Sequence, residues 1–360
     1  MYKHNRNLFK FILLYKKDTN SLTVSVIGPY RSGKSTLVNK LQQRKGAEED
    51  VSFFFFKYGG KNVTLIDTPG DMDNPTTLAS VLTLSDAIIF CVSPENGVNL
   101  QVGEQIIMAS SIGIKQGLIC ITKADISTAA DIEKLENQLS AIIKGTSIEN
   151  FEIITVDINN DQSMADIRAK VSSFSYESEN IKKPFKILID HAFESKGMSI
   201  AVGTMPTGKI GIHSDGVIAP TPFTKDISIN SIQINQEDMQ SAEAGDRVGV
   251  AIKGVWPWDL PRGVEIRKKG SFRDITEGEF TVKVIPLYKQ EIKDDVKLNL
   301  ISNWQNVVVT LKNVKRDGDT VTANFVADKN FCFDENDRIL LINKDLPIRF
   351  LRVVGSVSLK

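Results

Sequence analysis

A chain of 360 residues, 41% hydrophobic and 24% charged, has the composition of an ordinary globular protein with room for two or three cores. Lys+Arg and Asp+Glu each number 44, so no global field holds the chain on nucleic acid or an anionic membrane, and any RNA contact must come from a local patch. The three cysteines, Cys91, Cys120 and Cys332, lack metal spacing and two lie in apolar runs, which predicts buried, reduced thiols in a cytoplasmic protein.

Residues 1–21 are basic with an apolar patch over 8–15 that Lys10 interrupts. The patch is too short for a membrane span and no small-residue cleavage site follows it, so a loosely docked extension and no membrane partner are expected. Residues 24–27, VSVI, then form an apolar run suited to a buried parallel strand. The pattern Gly-x-x-x-x-Gly-Lys-Ser falls on Gly28, Gly33, Lys34 and Ser35, and residues 36–41 have helical spacing. Strand, glycine-rich loop and helix is the context of a phosphate-binding loop. The two glycines let the chain turn its N–H groups inward. The loop amides of Tyr30, Arg31, Ser32 and Gly33, with Thr36, would then join the positive end of the helix around a phosphate. Lys34 is placed to reach the β- and γ-phosphates, and the Ser35 hydroxyl to ligate Mg2+.

A polar loop over 42–50 precedes a strand over 51–58, a Gly59-Gly60 hairpin turn and a buried strand over 63–66. That strand delivers Asp67-Thr68-Pro69-Gly70. A carboxylate there is placed to hold the Mg2+ shell and the Gly70 N–H to sense a γ-phosphate, which makes Lys34 and Gly70 the candidate catalytic groups. Asn74-Pro75 reads as a cap and first helical residue of a helix to about Ser85. A strand over 87–92, a helix over 104–111 and a strand over 117–121 follow. At the end of the last stands Thr122-Lys123-Ala124-Asp125. The Asp125 carboxylate can accept from N1–H and N2–H2 of guanine, whereas adenine offers no donor at that edge and strands it at about 1.5–3 kcal/mol. Lys123 would lie along the base plane. A helix over 130–143 and a strand over 151–156 complete a domain over 22–178. The alternation predicts a parallel sheet with helices on both faces and a ligand at the strand C-terminal ends, where all three motifs fall.

After a polar linker over 172–184 the pattern changes to short alternating runs with glycine turns, predicting closed all-β barrels over 185–270 and 271–360. Lys182-Lys183, Arg267-Lys268-Lys269 and Lys315-Arg316 are small basic groups open to RNA. Trp256 and Trp258 either stack on an unpaired base or pack on a barrel rim, rim packing being the expectation.

The motifs GPYRSGKS, DTPG and TKAD resemble those of the translational GTPases. Residues 93–125 resemble the matching segment of elongation factor Tu. Residues 187–210 and 231–266 resemble the second domain of elongation factor Tu and of the SelB-like, selenocysteine-specific factors, above all at Ala244-Gly245-Asp246-Arg247-Val248-Gly249. The resemblance implies an α/β P-loop NTPase domain followed by two all-β barrels, GTP or GDP with Mg2+ as cofactors, and a cytoplasmic monomer. It also implies an aminoacyl-tRNA gripped between the GTPase domain and the second barrel, and work at the ribosome. Departures stand beside it. Asp71 occupies the place of the family's water-positioning histidine, and no threonine lies between Thr36 and Thr64 to complete the Mg2+ shell. Ser52 is a candidate substitute, though a strand position fits it better. Thr122 replaces the usual asparagine, and the usual Ser-Ala motif falls at Asp157-Ile158. Loss of a general base costs about 10²–10⁴-fold in rate, so weak intrinsic hydrolysis is expected. A pseudo-GTPase that holds nucleotide without turnover is the alternative, and an ATP-using relative the weaker third.

Overall fold

The computed structural model describes residues 21–42, 44–45, 51–70, 73–175 and 178–360, so the leader before Ser21, most of the 42–50 loop and Asp71 lie outside the described residues. Seven strands form the first sheet: β1 (Ser21–Ile27), β2 (Arg44–Lys45), β3 (Ser52–Tyr58), β4 (Lys61–Asp67), β5 (Ala87–Val92), β6 (Gly117–Ile121) and β7 (Glu152–Thr155). Their order is β2-β3-β4-β1-β5-β6-β7. Neighbours from β4 to β7 run parallel, and β2 and β3 add an antiparallel edge. Five helices pack on it: α1 (Lys34–Leu41), α2 (Pro75–Leu84), α3 (Leu100–Ser111), α4 (Ala129–Ile143) and α5 (Asp161–Ser173).

Successive strand residues point to opposite faces, and the core divides accordingly. Leu22, Val24 and Val26 join Ala87, Ile89 and Cys91 on the face of α1 and α5. Ile88, Phe90, Val92, Ile119 and Ile121 pack on the other face with α2, α3 and α4. Two elements differ from expectation. β1 begins at Ser21, three residues before the apolar run, because its polar side chains are satisfied inside: Ser21 Oγ donates to Asp246 Oδ1 at 2.8 Å. Ser21 therefore belongs to the sheet and not to the extension. The linker expected from 172 is preceded by α5, a helix with a weak apolar signature that buries only Met164, Ile167, Val171 and Ser172.

The second unit is a barrel of β8 (Lys186–Ser195), β9 (Met198–Thr207), β11 (Asp215–Ala219), β12 (Lys225–Ile234), β15 (Arg247–Ile252) and β16 (Glu265–Arg267). It closes because β11 pairs with both β12 and β16. Short strands β10 (Lys209–Gly211) and β14 (Ser241–Glu243) pair beside it, and β13 (Glu237–Met239) extends β12. The third unit is a closed six-stranded barrel of β17 (Arg273–Val284), β18 (Lys297–Ser302), β19 (Gln305–Asp317), β20 (Thr320–Phe333), β21 (Leu340–Ile342) and β22 (Val353–Leu359).

The units are not beads on a string. Ile301, Leu340, Ile342 and Val353 of the last barrel belong to the same apolar cluster as α2 and α3. Each such burial is worth about 1.5–3 kcal/mol over exposure. Glu104 on α3 accepts from the Arg352 guanidinium and main-chain N–H in a buried ion pair. Between the barrels, buried Arg267 donates to Glu265, Asp334 and Asp337, and Lys186 to Asp334 and Asp337. Burial alone raises the Asp337 carboxyl, but Lys186 and Arg267 outweigh it and hold it well below the usual carboxylate range. Removing one partner of a buried pair leaves the other charge uncompensated, at about 3–5 kcal/mol. Arg352→Met is accordingly expected to lower the free energy of cooperative unfolding by that amount, with Glu104→Leu in the same chain restoring most of it. Urea melts of the wild type and the two variants check this, and a loss near zero in the single variant counts against it.

Candidate nucleotide site and the cleft beside it

Parallel register brings the strand ends to one edge. Val26 lies beside Asp67, Ile27 beside Phe90, and Val92 beside Ile121. The loops that leave β1, β4 and β6 therefore meet. Gly28 turns sharply at φ 145°, and a Cβ there would stand 2.1 Å from the Cys91 carbonyl oxygen, so only glycine fits. Arg31 and Gly33 also take left-handed conformations before α1 begins at Lys34. Tyr30, Arg31, Ser35 and Thr36 are exposed, whereas Ser32 and Lys34 are buried. Burial pushes the Lys34 ammonium below its ordinary value, Asp67 offsetting part of that. Its Nζ donates to the Gly28 and Pro29 carbonyls at 2.9 and 2.8 Å, curled into the loop it would serve.

Asp67 closes β4 opposite. Burial raises its carboxyl, while the Ser35 hydroxyl, donating to it, and Lys34 pull it down. Its Oδ1 is buried without a hydrogen-bond partner. A carboxylate oxygen and a hydroxyl at a helix start are hard oxygen donors, which fits Mg2+. Gly70 lies so close that a Cβ would meet Lys34 Nζ at 2.6 Å and Tyr30 Cα at 2.9 Å. Its carbonyl accepts from Gln101 Nε2 at 2.8 Å, and Asn96 Nδ2 donates to the Tyr30 carbonyl at 3.2 Å. Nothing in the sequence marks Gln101 or Asn96, since each is an ordinary polar residue near the start of α3.

The third motif sits in a 3₁₀ turn, Ala124–Ile126. Thr122 is buried, and its Oγ1 donates to the Ser32 carbonyl at 2.6 Å, tying this turn to the glycine-rich loop. Lys123, left-handed at φ 59°, pairs with Glu95 at 2.6 Å. Asp125 Oδ2 accepts from Asn159 Nδ2 at 3.3 Å. Asn159 is two residues past Asp157, in the stretch that reads as a degraded motif. The motif's letters are gone, yet a side-chain amide from that loop still reaches the carboxylate.

Where β3 meets the second unit, a cavity of about 310 Å3 is lined by Phe53, Phe55, His191, Phe193, Val202 and Arg247 among others. The Arg247 guanidinium lies 3.6 Å over the Phe53 ring and donates to both oxygens of Asp190, which is 3% exposed. His191 Nδ1 lies 2.8 Å from Asp190 Oδ1. Burial would raise the Asp190 carboxyl, but Arg247 and His191 outweigh it and hold it below the ordinary value.

A parallel sheet whose loops converge in this way, fused to two β-barrels, defines a P-loop GTPase of the translation-factor type. Residues 43–314 match the family model described as Elongation factor Tu GTP binding domain, and the chain belongs to that family. The match begins beyond the 28–36 loop, whose reading stands on its own geometry. The chain is 24% identical over 380 residues to the selenocysteine-specific elongation factor of Methanocaldococcus jannaschii, covering 95% of this chain and 80% of that protein. It is 26% identical over 333 residues to an uncharacterized protein of the same organism, covering 92% of this chain and 98% of the relative. Its fold is similar to translation elongation factor SelB of Methanococcus maripaludis in complex with the GTP analogue GppNHp. The TM-score is 0.85 at 23% identity, over 95% of this chain and 79% of that one.

Two outcomes test this geometry. Thr122→Val deletes the bond to the Ser32 carbonyl, worth about 0.5–1.5 kcal/mol, and is expected to weaken GDP binding about 2- to 12-fold by calorimetry. For Asp190, a carboxyl lowered by folding adds stability above the unfolded value of about 3.9 and loses it as pH falls through the folded value. The unfolding midpoint of the wild type should thus fall more steeply below about pH 4 than that of Asp190→Asn.

Proposed function

We propose that this chain is a GTP-binding, elongation-factor-like protein that holds or delivers a specialised aminoacyl-tRNA in the cytoplasm, as a monomer, with slow intrinsic hydrolysis. The nucleotide half rests on one observation: Gly70 lies so close to Lys34 and the Tyr30 backbone that it admits no Cβ. In this reading the amides of Tyr30, Arg31, Ser32, Gly33 and Thr36 hold phosphates, and Lys34 and the Gly70 N–H face the γ-phosphate. Ser35 and Asp67 would hold Mg2+, which when bound neutralises phosphate charge. Asp125 accepts from the guanine edge while Asn159 orients it, Thr122 locks the two loops together, and Lys123 covers the base. With Ser21 taken into β1, the GTP-binding domain in this reading spans 21–178, with barrels over 185–270 and 271–360.

The aminoacyl half is supported by the cavity beside β3, whose phenylalanine and aliphatic lining and Arg247, held by Asp190, suit a small side chain presented between the two units. The name of the relative from Methanocaldococcus jannaschii, a selenocysteine-specific elongation factor, supports an aminoacyl-tRNA and a ribosomal partner for this chain. Slow turnover is inferred from the sequence alone: Asp71 stands where the resembled family has a histidine, and a carboxylate does not donate as an imidazole does. The absence of a threonine between Thr36 and Thr64 favours a second reading, in which the nucleotide is a structural ligand and the chain acts through its surfaces.

Calorimetry with GTP, GDP and ATP in the presence of magnesium tests the first claim. GTP and GDP are expected to bind, ATP not, and Asp125→Asn to lose about 10- to 150-fold of the affinity for GTP. No heat with either guanine nucleotide overturns it. Turnover measured with and without ribosomes then separates the readings: stimulation supports the factor, and tight binding without turnover supports the structural ligand.

A further inference from the structure

Besides Lys34, the 28–36 loop carries a second cation, Arg31. Its side chain is exposed. Among the described residues the guanidinium makes no hydrogen bond or ion pair, and it rests 5.3 Å from the centroid of the Tyr30 ring. The Arg31 backbone is left-handed at φ 60°, a region in which a Cβ crowds the following carbonyl. The surroundings hold it there. The peptide before Arg31 is fixed by Asn96 Nδ2, which donates to the Tyr30 carbonyl at 3.2 Å. The peptide after it is fixed by the Ser32 N–H, which donates to the Pro29 carbonyl at 3.2 Å. Thr122 then bonds the Ser32 carbonyl at 2.6 Å. Backbone strain that neighbours enforce in this way gathers at functional sites.

Position decides which part of a ligand this cation meets. A Cβ on Gly70 would stand 2.6 Å from Lys34 Nζ and 2.9 Å from Tyr30 Cα. The segment that bears Arg31 therefore borders the same space as the two groups that face the γ-phosphate. Glu95, in the loop after β5, is an acidic group that Arg31 feels. Lys123 holds the Glu95 carboxyl below its ordinary value, with a smaller pull from Arg31. That carboxylate is bonded to Lys123 at 2.6 Å, which leaves the guanidinium to a phosphate.

We propose that Arg31 is a catalytic residue for GTP hydrolysis, an arginine supplied by the phosphate loop itself, whose guanidinium turns from the Tyr30 ring onto the γ-phosphate. The proposal rests on the reading that GTP binds here, and deepens it by naming the group through which turnover runs. In that step a water oxygen bonds to the γ-phosphorus and the bond from this phosphorus to the bridging oxygen breaks. Its electron pair stays on the β-phosphate of GDP, and both water protons leave on inorganic phosphate. Negative charge shifts toward the bridging oxygen, and a planar fork of N–H donors meets two phosphate oxygens at once. Arginine keeps its charge at any working pH, and with the backbone already fixed only side-chain torsions have to change.

The full chain with magnesium is compared with Arg31→Ala and Arg31→Lys in two assays. Single-turnover hydrolysis of GTP reads the rate. Calorimetry reads the affinity for GDP with and without aluminium fluoride, which imitates the phosphoryl group in transfer. Aluminium fluoride is expected to tighten GDP binding in the wild type. Arg31→Ala should lose that gain and about 10²- to 10³-fold of the rate, far more than it loses in GDP affinity, because the loop amide is kept. Arg31→Lys keeps the charge without the fork and should recover part of both. A wild-type rate and gain in Arg31→Ala overturn the proposal and leave nucleotide binding standing. A loss of GDP affinity as large as the loss of rate makes the side chain a support of the loop and overturns it too. GTP bound by the wild type with neither turnover nor gain also overturns it, and failure of both guanine nucleotides to bind overturns the site on which it rests.

Discussion

The candidate site depends on the parallel register of β1 with β4 and β5. Each parallel strand needs a crossover, and crossovers return every chain segment to the same starting edge, so all the loops that leave the strands are delivered to the other edge. Gly28, Asp67 and Thr122 are far apart in sequence and become neighbours for that reason alone. Side-chain hydrogen bonds then draw the loops together. Thr122 bonds across to Ser32, and Gln101 to the Gly70 carbonyl.

A second constraint acts between units. Domains joined only by linkers are expected to move against one another, and small, polar interfaces permit it. Here the apolar face of α2 and α3 continues without a break into Ile301, Leu340 and Ile342, and the Glu104–Arg352 pair is buried within that contact. Gln101 and Glu104 lie three residues apart at the start of α3, one bonded to Gly70 and the other to the last barrel. A helix so placed links the edge where the nucleotide motifs meet to a surface far from it. The barrels are tied in turn by Arg267 and Lys186 among three carboxylates, Glu265, Asp334 and Asp337.

Much of this was legible before any coordinates. The Gly28–Ser35 pattern, the Asp67–Gly70 turn and the Thr122–Asp125 run each carry their own local signal, because glycine at positive φ and polar residues at strand ends are demanded by backbone geometry within a few residues. Other features carried no such signal. α5 gives no clear helical signal, and its last two residues fall in the expected linker, because only one narrow stripe of it is buried. Ser21 reads as leader because its partner, Asp246, lies 225 residues away. Asn159 hides in a stretch whose letters depart from the usual motif, although its amide still reaches Asp125. Trp256 and Trp258 stand on a turn against β8 and β9, and only the path of the loop decided that their rings would stack on each other.

By itself the sequence determined the class of fold, the order of its units and which motifs follow β1, β4 and β6. Periodicity and turn residues are short-range properties, and they are written in consecutive letters. Tertiary structure alone decided which polar groups pair across units, how Asp190 is held beneath Arg247 against Phe53, and which aromatic rings remain outside. Those outcomes depend on distances between segments brought together only when buried apolar surface closes the three cores, and no local pattern encodes them.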